Sequence, residues 1–273
     1  MDKGTWGGIV IALAGIIGGM TIEGGKISQI LQPTAAMIVL GGTLGAVMIA
    51  FPLPVVIASF KRLTQVFLET ANDHERLIKE IVRYVQTARK EGIVALDNEL
   101  ETIENPFLKK SLMLAIDGTE PRELRNIMEL EMDNQSELEE RVPQVLESAG
   151  GFAPTIGILG AVIGLIQVMQ HLNNISEVGR GIAVAFVATI YGVGSANLFF
   201  LPAAGKLRIR IRQEQLTREM ILEGVISILE GLNPRMVETK LRGFLAENER
   251  KAREKAQEKE EAAEPEKELE HAQ

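Results

Sequence analysis

Long runs of uncharged, mostly apolar residues are the feature that most restricts the fold of this chain. Residues 4–22 carry no charge, and as a helix that rises about 1.5 Å per residue they cover about 28 Å. This length matches the hydrocarbon core of a bilayer, which is about 30 Å thick. The sequence therefore predicts a first membrane-spanning helix here. A cleaved signal peptide is the alternative, which the apolar continuation through Ile17 and Ile22 disfavours.

The second uncharged run is too long for one straight crossing, and its prolines mark where the helix begins and ends. Pro33 suits a first helical turn, whereas Pro52 and Pro54 disrupt the other end. The second span is therefore predicted near 33–52.

Two further uncharged runs, 148–170 and 181–205, are joined by the short link 171–180 and should form a helical hairpin. The expected fold is an all-α membrane protein with four transmembrane helices. A cytoplasmic helical subdomain is inserted between the second and third of them.

The distribution of basic residues predicts the orientation of the spans. One face of the predicted membrane domain is flanked by Lys61, Arg62, Lys206, Arg208, Arg210 and Arg212, whereas the links on the other face are nearly neutral. Because basic residues favour the cytoplasmic side, both termini and the segment 61–147 are expected in the cytoplasm.

The cytoplasmic parts are predicted to be helical. Within 61–147, Leu77, Ile81, Val85 and Ala88 form one apolar stripe, which indicates a compact helical subdomain without a sheet. The stretch 206–245 should continue the fourth span as a helical extension. The charged tail 246–273 has almost nothing to bury, so it is expected to be disordered or a solvated helix.

Composition argues against several functional classes. The chain has no cysteine, and its three histidines, His74, His171 and His271, are far apart, so a metal site is not expected. A formal net charge of -8 argues against a nucleic-acid partner. No motif indicates a cofactor or an enzyme.

Polar side chains within the third and fourth spans are the candidates for an ion pathway. They are Thr155, Gln167, Thr189, Tyr191, Ser195 and Asn197. Either the hydroxyls bond to carbonyls of their own helices and the amides bond to neighbours, or these side chains line a pore. No span carries a carboxylate, lysine or arginine near its centre, so a partner must supply the acid if protons are to cross.

Small residues and prolines recur in the spans. The small-xxx-small spacing that allows close helix packing occurs at Gly15 and Gly19, Gly41 and Gly45, and Gly160 and Gly164. Pro154 and Pro202, at the cytoplasmic ends of the third and fourth spans, act either as hinges or simply as the beginning and end of helices.

Four motifs together carry a resemblance to a known family. They are APTIGILG at 153–160, ATIYG at 188–192, ANLFFLP at 196–202 and ARKEG at 88–92. With the order of spans, they resemble the MotA/PomA family of flagellar motor stator subunits, in the MotA/TolQ/ExbB superfamily. The resemblance implies a homopentamer in the bacterial inner membrane around two copies of a MotB-type partner. That partner's single transmembrane helix carries the ion-binding aspartate, and the cytoplasmic insertions push on the rotor protein FliG.

The resemblance also assigns roles to residues of the insertion. Rotor contacts fall on Arg89 with Lys90 beside it, and on Asp97, where the family more often has glutamate. Glu99, which lies nearby, is included among the predicted rotor contacts. A family acid that precedes the third span falls roughly on Glu131.

In the spans, the resemblance assigns the ion pathway to Thr189 and Ala161, and Thr155 and Tyr191 are placed in the same pathway. Sodium-driven relatives have a threonine seven residues after the span-three proline, where this chain has Ala161. A missing oxygen ligand should cost a cation on the order of several kcal/mol, so proton coupling is predicted. The alternative is that Ala161 only packs and the partner sets selectivity.

Two other functions stay open at this point. An ExbB/TolQ-type energy transducer belongs to the same superfamily, but those relatives have three spans, so the first two spans favour the stator. A non-conducting membrane scaffold would use the glycines for packing alone.

Overall fold

The computed structural model describes residues 3–67 and 74–245, so the predicted tail 246–273 lies outside the described residues. Every regular element in these two ranges is helical, as the sequence predicted. The helices are α1 (Lys3–Ile22), α2 (Pro33–Ala36), α3 (Gly42–Ala50), α4 (Leu53–Phe67), α5 (His74–Glu91), α6 (Pro106–Ile116), α7 (Pro121–Gln170), α8 (Ile175–Ser195), α9 (Leu201–Leu229) and α10 (Pro234–Arg242). Short 3-10 segments cover Ile27–Gln29 and Ile93–Thr102, and π-helical stretches cover Met37–Gly41 and Ala196–Phe200.

Four of these helical stretches are long and apolar enough to cross a membrane. They are Gly4–Ile22, Pro33–Ala50, and apolar windows within Pro121–Gln170 and Ile175–Leu229. The all-helical fold with four spans is therefore confirmed.

Prolines act differently in the second and third spans. Pro33 is the first residue of α2, as predicted, and the backbone becomes extended at Phe51, directly before Pro52. Pro154 instead lies inside α7, which continues through it. The alternative in which Pro154 begins a helix is therefore wrong, because α7 already begins at Pro121 and passes through Pro154 at the loss of one backbone hydrogen bond.

Contacts divide the chain into two compact units. Among the described residues, the span unit comprises 3–67 and 134–212, and the insertion unit comprises 74–133 and 213–245. In the span unit, Ala149 and Ala153 of α7 pack against Ala196 and Phe200, and Val39 of the second span packs against Val184.

In the insertion unit, one face of α5 forms the core with α6 and the second half of α9. Ile78, Ile81, Tyr84 and Val85 are buried, while Leu77 and Ala88 of the predicted stripe are half-buried against the same core. The first turn of α6 is fixed by Asn105, whose Oδ1 accepts hydrogen bonds from the N–H groups of Phe107 and Leu108 at 3.0 and 3.1 Å.

A carboxylate ties three helices of the insertion unit together. Glu223 of α9 forms ion pairs with Arg125 of α7 at 2.6 Å and with Lys240 of α10 at 2.5 Å. Burial alone would raise the pKa of Glu223, but the hydrogen bonds and charges of Lys240 and Arg125 outweigh it and lower that pKa. The extension predicted after the fourth span continues to Leu229, and Gly231, at φ +66, ends it.

Candidate functional site

Spans three and four pack backbone to backbone through small residues. A Cβ added at Gly157 would lie 2.9 Å from the Ala188 carbonyl oxygen, and one at Gly164 would lie 2.8 Å from the Gly181 carbonyl oxygen. A Cβ at Gly160 would lie 2.8 Å from the Ala188 Cβ. The packing role predicted for Gly160 and Gly164 is therefore confirmed.

The other predicted glycine pairs behave differently. A Cβ added at Gly15, Gly19, Gly41 or Gly45 would meet no heavy atom within 4 Å. These four glycines therefore do not mediate close helix packing within a single chain.

The half of the interface that α8 contributes was not predicted from the sequence. The two backbones come closest at Gly192, since an added Cβ would lie 2.6 Å from the Ala153 carbonyl oxygen. The signal was present, because Gly181, Ala185, Ala188 and Gly192 recur every three or four residues and thus form a small-residue stripe on α8.

This packing brings Ala161 and Thr189 to the same level of the helix pair. Each directly follows an interface residue, Gly160 or Ala188. One helical residue is a rotation of about 100°, and because α7 and α8 run antiparallel, that rotation carries both residues to the same side of the pair. Both are half-buried. This common level was not evident from the sequence, because it depends on how the two helices pair.

The second span covers the opposite side of this pair. Its Ile38 contacts the position of an added Gly160 Cβ at 3.3 Å, and an added Cβ at Gly42 would lie 2.8 Å from Ile156 Cγ2. Ile156 and Ala161 point to opposite sides of α7, since Ile156 precedes an interface residue and Ala161 follows one.

The side with Ala161 and Thr189, called the open face below, is apolar and exposed in the single chain. Its large side chains include Ile158, Leu165 and Phe186, which are 58%, 52% and 69% exposed. An exposed apolar face that packs against no other part of the described chain is suited to contact another transmembrane helix.

The Thr189 hydroxyl lies on the open face, and the hydrogen bond that it donates is long. Its Oγ1 donates to the Ala185 carbonyl oxygen at 3.2 Å, whereas that of Thr155 donates to the Phe152 carbonyl oxygen at 2.8 Å. Hydroxyl hydrogen bonds are usually about 2.7–2.8 Å long. The Thr189 hydroxyl is therefore held weakly, and its lone pairs can accept a hydrogen bond from a group placed against the face.

The other two residues predicted in the pathway lie elsewhere. Thr155 is two residues, or about 200° of helix, from both Ala153 and Gly157, so it points away from α8. Tyr191 donates its hydroxyl to the Ile30 carbonyl oxygen at 2.6 Å and accepts from an N–H of the same loop at 3.3 Å. Tyr191 thus fastens the link between the first two spans.

Ser195 follows the first of the two predicted alternatives, whereas the Asn197 amide bonds to its own helix and not to a neighbour. Ser195 Oγ donates to the Gly192 carbonyl oxygen at 3.2 Å, and Asn197 Nδ2 donates to the Val193 carbonyl oxygen at 2.9 Å. Both side chains thus bond to their own helix.

The two candidate hinge prolines have different surroundings. Pro154 lies seven residues, about two turns, before Ala161 and so lies below it on the open face. Pro202 is exposed, is the second residue of α9 and lies two residues after the end of the π-helical stretch at Phe200. Each lacks an N–H, so each leaves one carbonyl of the preceding turn without its helical donor.

In the insertion unit, Arg89 and Lys90 are exposed in the last turn of α5, and Asp97 is exposed on the following 3-10 segment. Gly92, at φ +87, makes the turn between them, a backbone conformation that favours glycine. The turn thus presents charges of both signs on one short stretch of chain.

Glu99 and Glu131 have partners within the unit. Glu99 is 28% exposed and forms an ion pair with Arg83 at 2.7 Å, and Glu131 pairs with Lys110 at 2.5 Å. Arg83 also lies over the ring of Tyr84, 5.1 Å from its centroid. Burial raises the pKa of Tyr84, whose hydroxyl donates to Glu80 at 2.6 Å. The Tyr84 hydroxyl therefore stays protonated at neutral pH and keeps this hydrogen bond within α5.

The site offers proton-carrying chemistry only together with another group. The described segments 148–170 and 181–205 contain no Asp, Glu, Lys or Arg. Among the residues that the structure describes, no group of three or more His, Asp or Glu could hold a metal ion. The open face can therefore bind and orient a partner's ionisable side chain through the Thr189 hydroxyl.

Comparison with known proteins gives the relatives of the chain. The model of the MotA/TolQ/ExbB proton channel family matches residues 99–220, and that of the Motility protein A N-terminal region matches 6–92. Motility protein A of Bacillus subtilis is 36% identical over 255 residues, covering 92% of this chain and 93% of that protein. Chemotaxis protein PomA of Vibrio alginolyticus is 32% identical over 250 residues, covering 92% and 98%.

Solved structures agree with these relatives. The structure of C. jejuni MotAB matches with a TM-score of 0.86 at 31% identity, covering 90% of this chain and 97% of that one. The flagellar MotAB stator complex from Bacillus subtilis matches with a TM-score of 0.83 at 36% identity, covering 91% and 98%. The N-terminal match includes the first two spans, which were the argument against an ExbB/TolQ-type protein with three. The chain therefore belongs to the motility protein A family of flagellar stator subunits, within the MotA/TolQ/ExbB proton channel family.

Proposed function

We propose that this chain is the ion-conducting subunit of a flagellar motor stator and that it couples proton flow to rotation together with a MotB-type partner. The observation that carries the proposal is the open face, which combines one weakly held hydroxyl, that of Thr189, with an apolar surface free of ionisable groups. A proton crossing hydrocarbon needs a titratable carrier. The partner's single span supplies that carrier as an aspartate.

The partner is supported by the relatives, because the two solved structures compared above are of MotAB. The open face is the natural contact for a second helix, since the second span occupies the opposite side of the hairpin. Five copies of the chain surround two copies of the partner in this proposal, and their open faces together line the pathway.

The proposed setting is the bacterial inner membrane with both termini in the cytoplasm. Lys206, Arg208 and Arg210 follow the fourth span, and Lys61 and Arg62 follow the second, which supports this orientation. The insertion unit then faces the rotor, where Arg89, Lys90 and Asp97 contact FliG through complementary charge. Glu99 supports α5 through Arg83 in this arrangement.

The transported ion is the proton. Sodium must exchange its water for several oxygen ligands, and at the level of Thr189 the facing helix presents the Ala161 methyl group. An ion short of one ligand in low dielectric is destabilised on the order of several kcal/mol. A proton needs only the carboxylate, which the Thr189 hydroxyl orients.

The function is tested by proton flux in cells that express the chain with a MotB-type partner. We expect cytoplasmic acidification with the partner, and none with the chain alone or with a partner whose aspartate is replaced by asparagine. Flux through the chain alone would contradict the proposal. No flux with the intact pair would favour the scaffold function.

The role of Thr189 is tested with a matched control. Ser195 is on the same helix and donates a hydrogen bond of the same length to its own helix, so Ser195→Ala removes a comparable hydroxyl outside the open face. Thr189→Ala should reduce flux without preventing assembly, whereas Thr189→Ser and Ser195→Ala should conduct. An equal loss in Ser195→Ala would show that any hydroxyl deletion in the span has this effect.

Ion choice is tested by swimming speed against external sodium at a fixed proton-motive force. We expect no dependence on sodium in the wild type. A steep dependence that is abolished by replacing sodium with potassium would show that proton coupling is wrong.

A further inference from the structure

A groove of about 470 Å³ lies between the first half of α1 and the end of the fourth span. On α1, Gly4, Gly8 and Ala12 recur every four residues and leave its floor open. The other wall is apolar and includes Leu198 and Phe199. None of these residues belongs to the open face or to the proposed rotor contacts Arg89, Lys90 and Asp97.

One end of the groove is cationic. Lys206 lines it and donates a hydrogen bond to the Thr5 hydroxyl, which closes that end of the groove. Arg210 follows Lys206 one helical turn later. A lysine ammonium has three donors, so Lys206 can hold Thr5 and still donate to a second acceptor.

The length of the groove decides what fits it. The lining residues run from Gly4 to Leu13 on α1 and from Asn197 to Lys206 on the other wall, each a helical rise of about 14 Å. This is about half the thickness of the hydrocarbon core, or one leaflet. A transmembrane helix of a partner would need the full thickness, whereas a phospholipid acyl chain occupies one leaflet.

We propose that this groove binds one anionic phospholipid, with an acyl chain between α1 and the 197–203 wall and the phosphate at Lys206. Cationic side chains at the end of a span attract anionic headgroups of the adjacent leaflet. The bound lipid fills the space that α1 leaves beside the fourth span. It thereby stabilises the position of α1, which buries little of its own surface in the single chain.

The test uses the full chain purified from membranes in detergent and analysed by native mass spectrometry. Phosphatidylglycerol and phosphatidylcholine with identical acyl chains are added in turn. The wild type should retain phosphatidylglycerol roughly fivefold better than phosphatidylcholine, the effect of one interfacial cation. Lys206→Gln should abolish this preference, whereas Arg212→Gln, an exposed cation on the same helix outside the groove, should keep it.

A second pair of variants tests the acyl chain. A Cβ at Gly8 or at Gly15 would meet no heavy atom within 4 Å, but only Gly8 lines the groove. Gly8→Leu should fill the groove and abolish retention of both lipids, and Gly15→Leu should retain them as the wild type does.

Four results would overturn the proposal. The first is wild-type lipid retention in Gly8→Leu, and the second is an unchanged lipid preference in Lys206→Gln. The third is displacement of the lipid by excess inorganic phosphate, which indicates a simple anion site. The fourth is a Gly8→Leu variant that loses its oligomeric state while it keeps the lipid, which indicates that a second copy occupies the groove. If Gly8→Leu does not fold, the Lys206→Gln and Arg212→Gln pair decides alone.

Discussion

Replacing Gly192 by alanine perturbs the point at which spans three and four approach most closely. The new methyl group would lie 2.6 Å from the Ala153 carbonyl oxygen, 3.0 Å from the Gly157 Cα and 3.2 Å from the Pro154 Cα. All three are backbone atoms, so the clash is relieved only if the helices separate. Overpacking of this kind costs about 1–3 kcal/mol.

The control for this substitution is Gly194→Ala, two residues later on the same helix. A Cβ there would meet no heavy atom within 4 Å. Both substitutions gain the same intrinsic helix preference of alanine over glycine, up to about 1 kcal/mol. The difference between the two variants therefore isolates the cost of the clash.

The assay is thermal unfolding of the purified variants, followed by proton flux in cells with the partner. One kcal/mol corresponds to about 2–4 °C for a protein of this size, so Gly192→Ala should melt about 2–12 °C below Gly194→Ala. Its flux should also fall, because separation of the helices displaces Thr189 relative to Ala161. Equal melting temperatures and equal flux in the two variants would refute the inference that backbone contact sets this site.

Three further predictions concern other parts of the chain. Charge reversal at Arg89 or Asp97 should slow swimming more than neutralisation does. Charge reversal at Arg76, elsewhere on α5, should have little effect. Intact swimming after charge reversal at both Arg89 and Asp97 would exclude these two residues from the rotor contact. Glu223 has a lowered pKa in the folded state, so its stabilisation is present above the unfolded pKa of about 4.3 and is lost as the pH falls through the folded value. Melting measured by circular dichroism should therefore show stability falling below about pH 4.3 in the wild type and a flatter slope in Glu223→Gln, and identical slopes would contradict this. Tyr191→Phe removes the hydrogen bond to Ile30 and should cost about 1 kcal/mol, or about 2–4 °C in melting temperature, and a wild-type melting temperature would show that the bond does not hold the loop.

The sequence by itself determined the class of fold. Its four uncharged runs require helices, because backbone polar groups in hydrocarbon must be satisfied within the segment. It also determined local features such as the beginning of the second span at Pro33 and the end of α9 before Gly231, since these depend on φ angles and on single missing N–H groups. The chemistry of the candidate site was predictable in the same way, because the absence of a charged residue from the spans is a property of composition.

The tertiary structure decided which residues of the spans act together. Thr155, Thr189 and Tyr191 are equally polar in the sequence, yet Thr189 lies level with Ala161, Thr155 points away from α8, and Tyr191 bonds to Ile30. The physical reason is that periodicity fixes which residues of one helix share a face but not the partner against which that face packs. The packing partner is determined at Gly157 and Gly192, where the backbones of α7 and α8 are in contact. This contact sets the register of the hairpin and with it the position of the Thr189 hydroxyl.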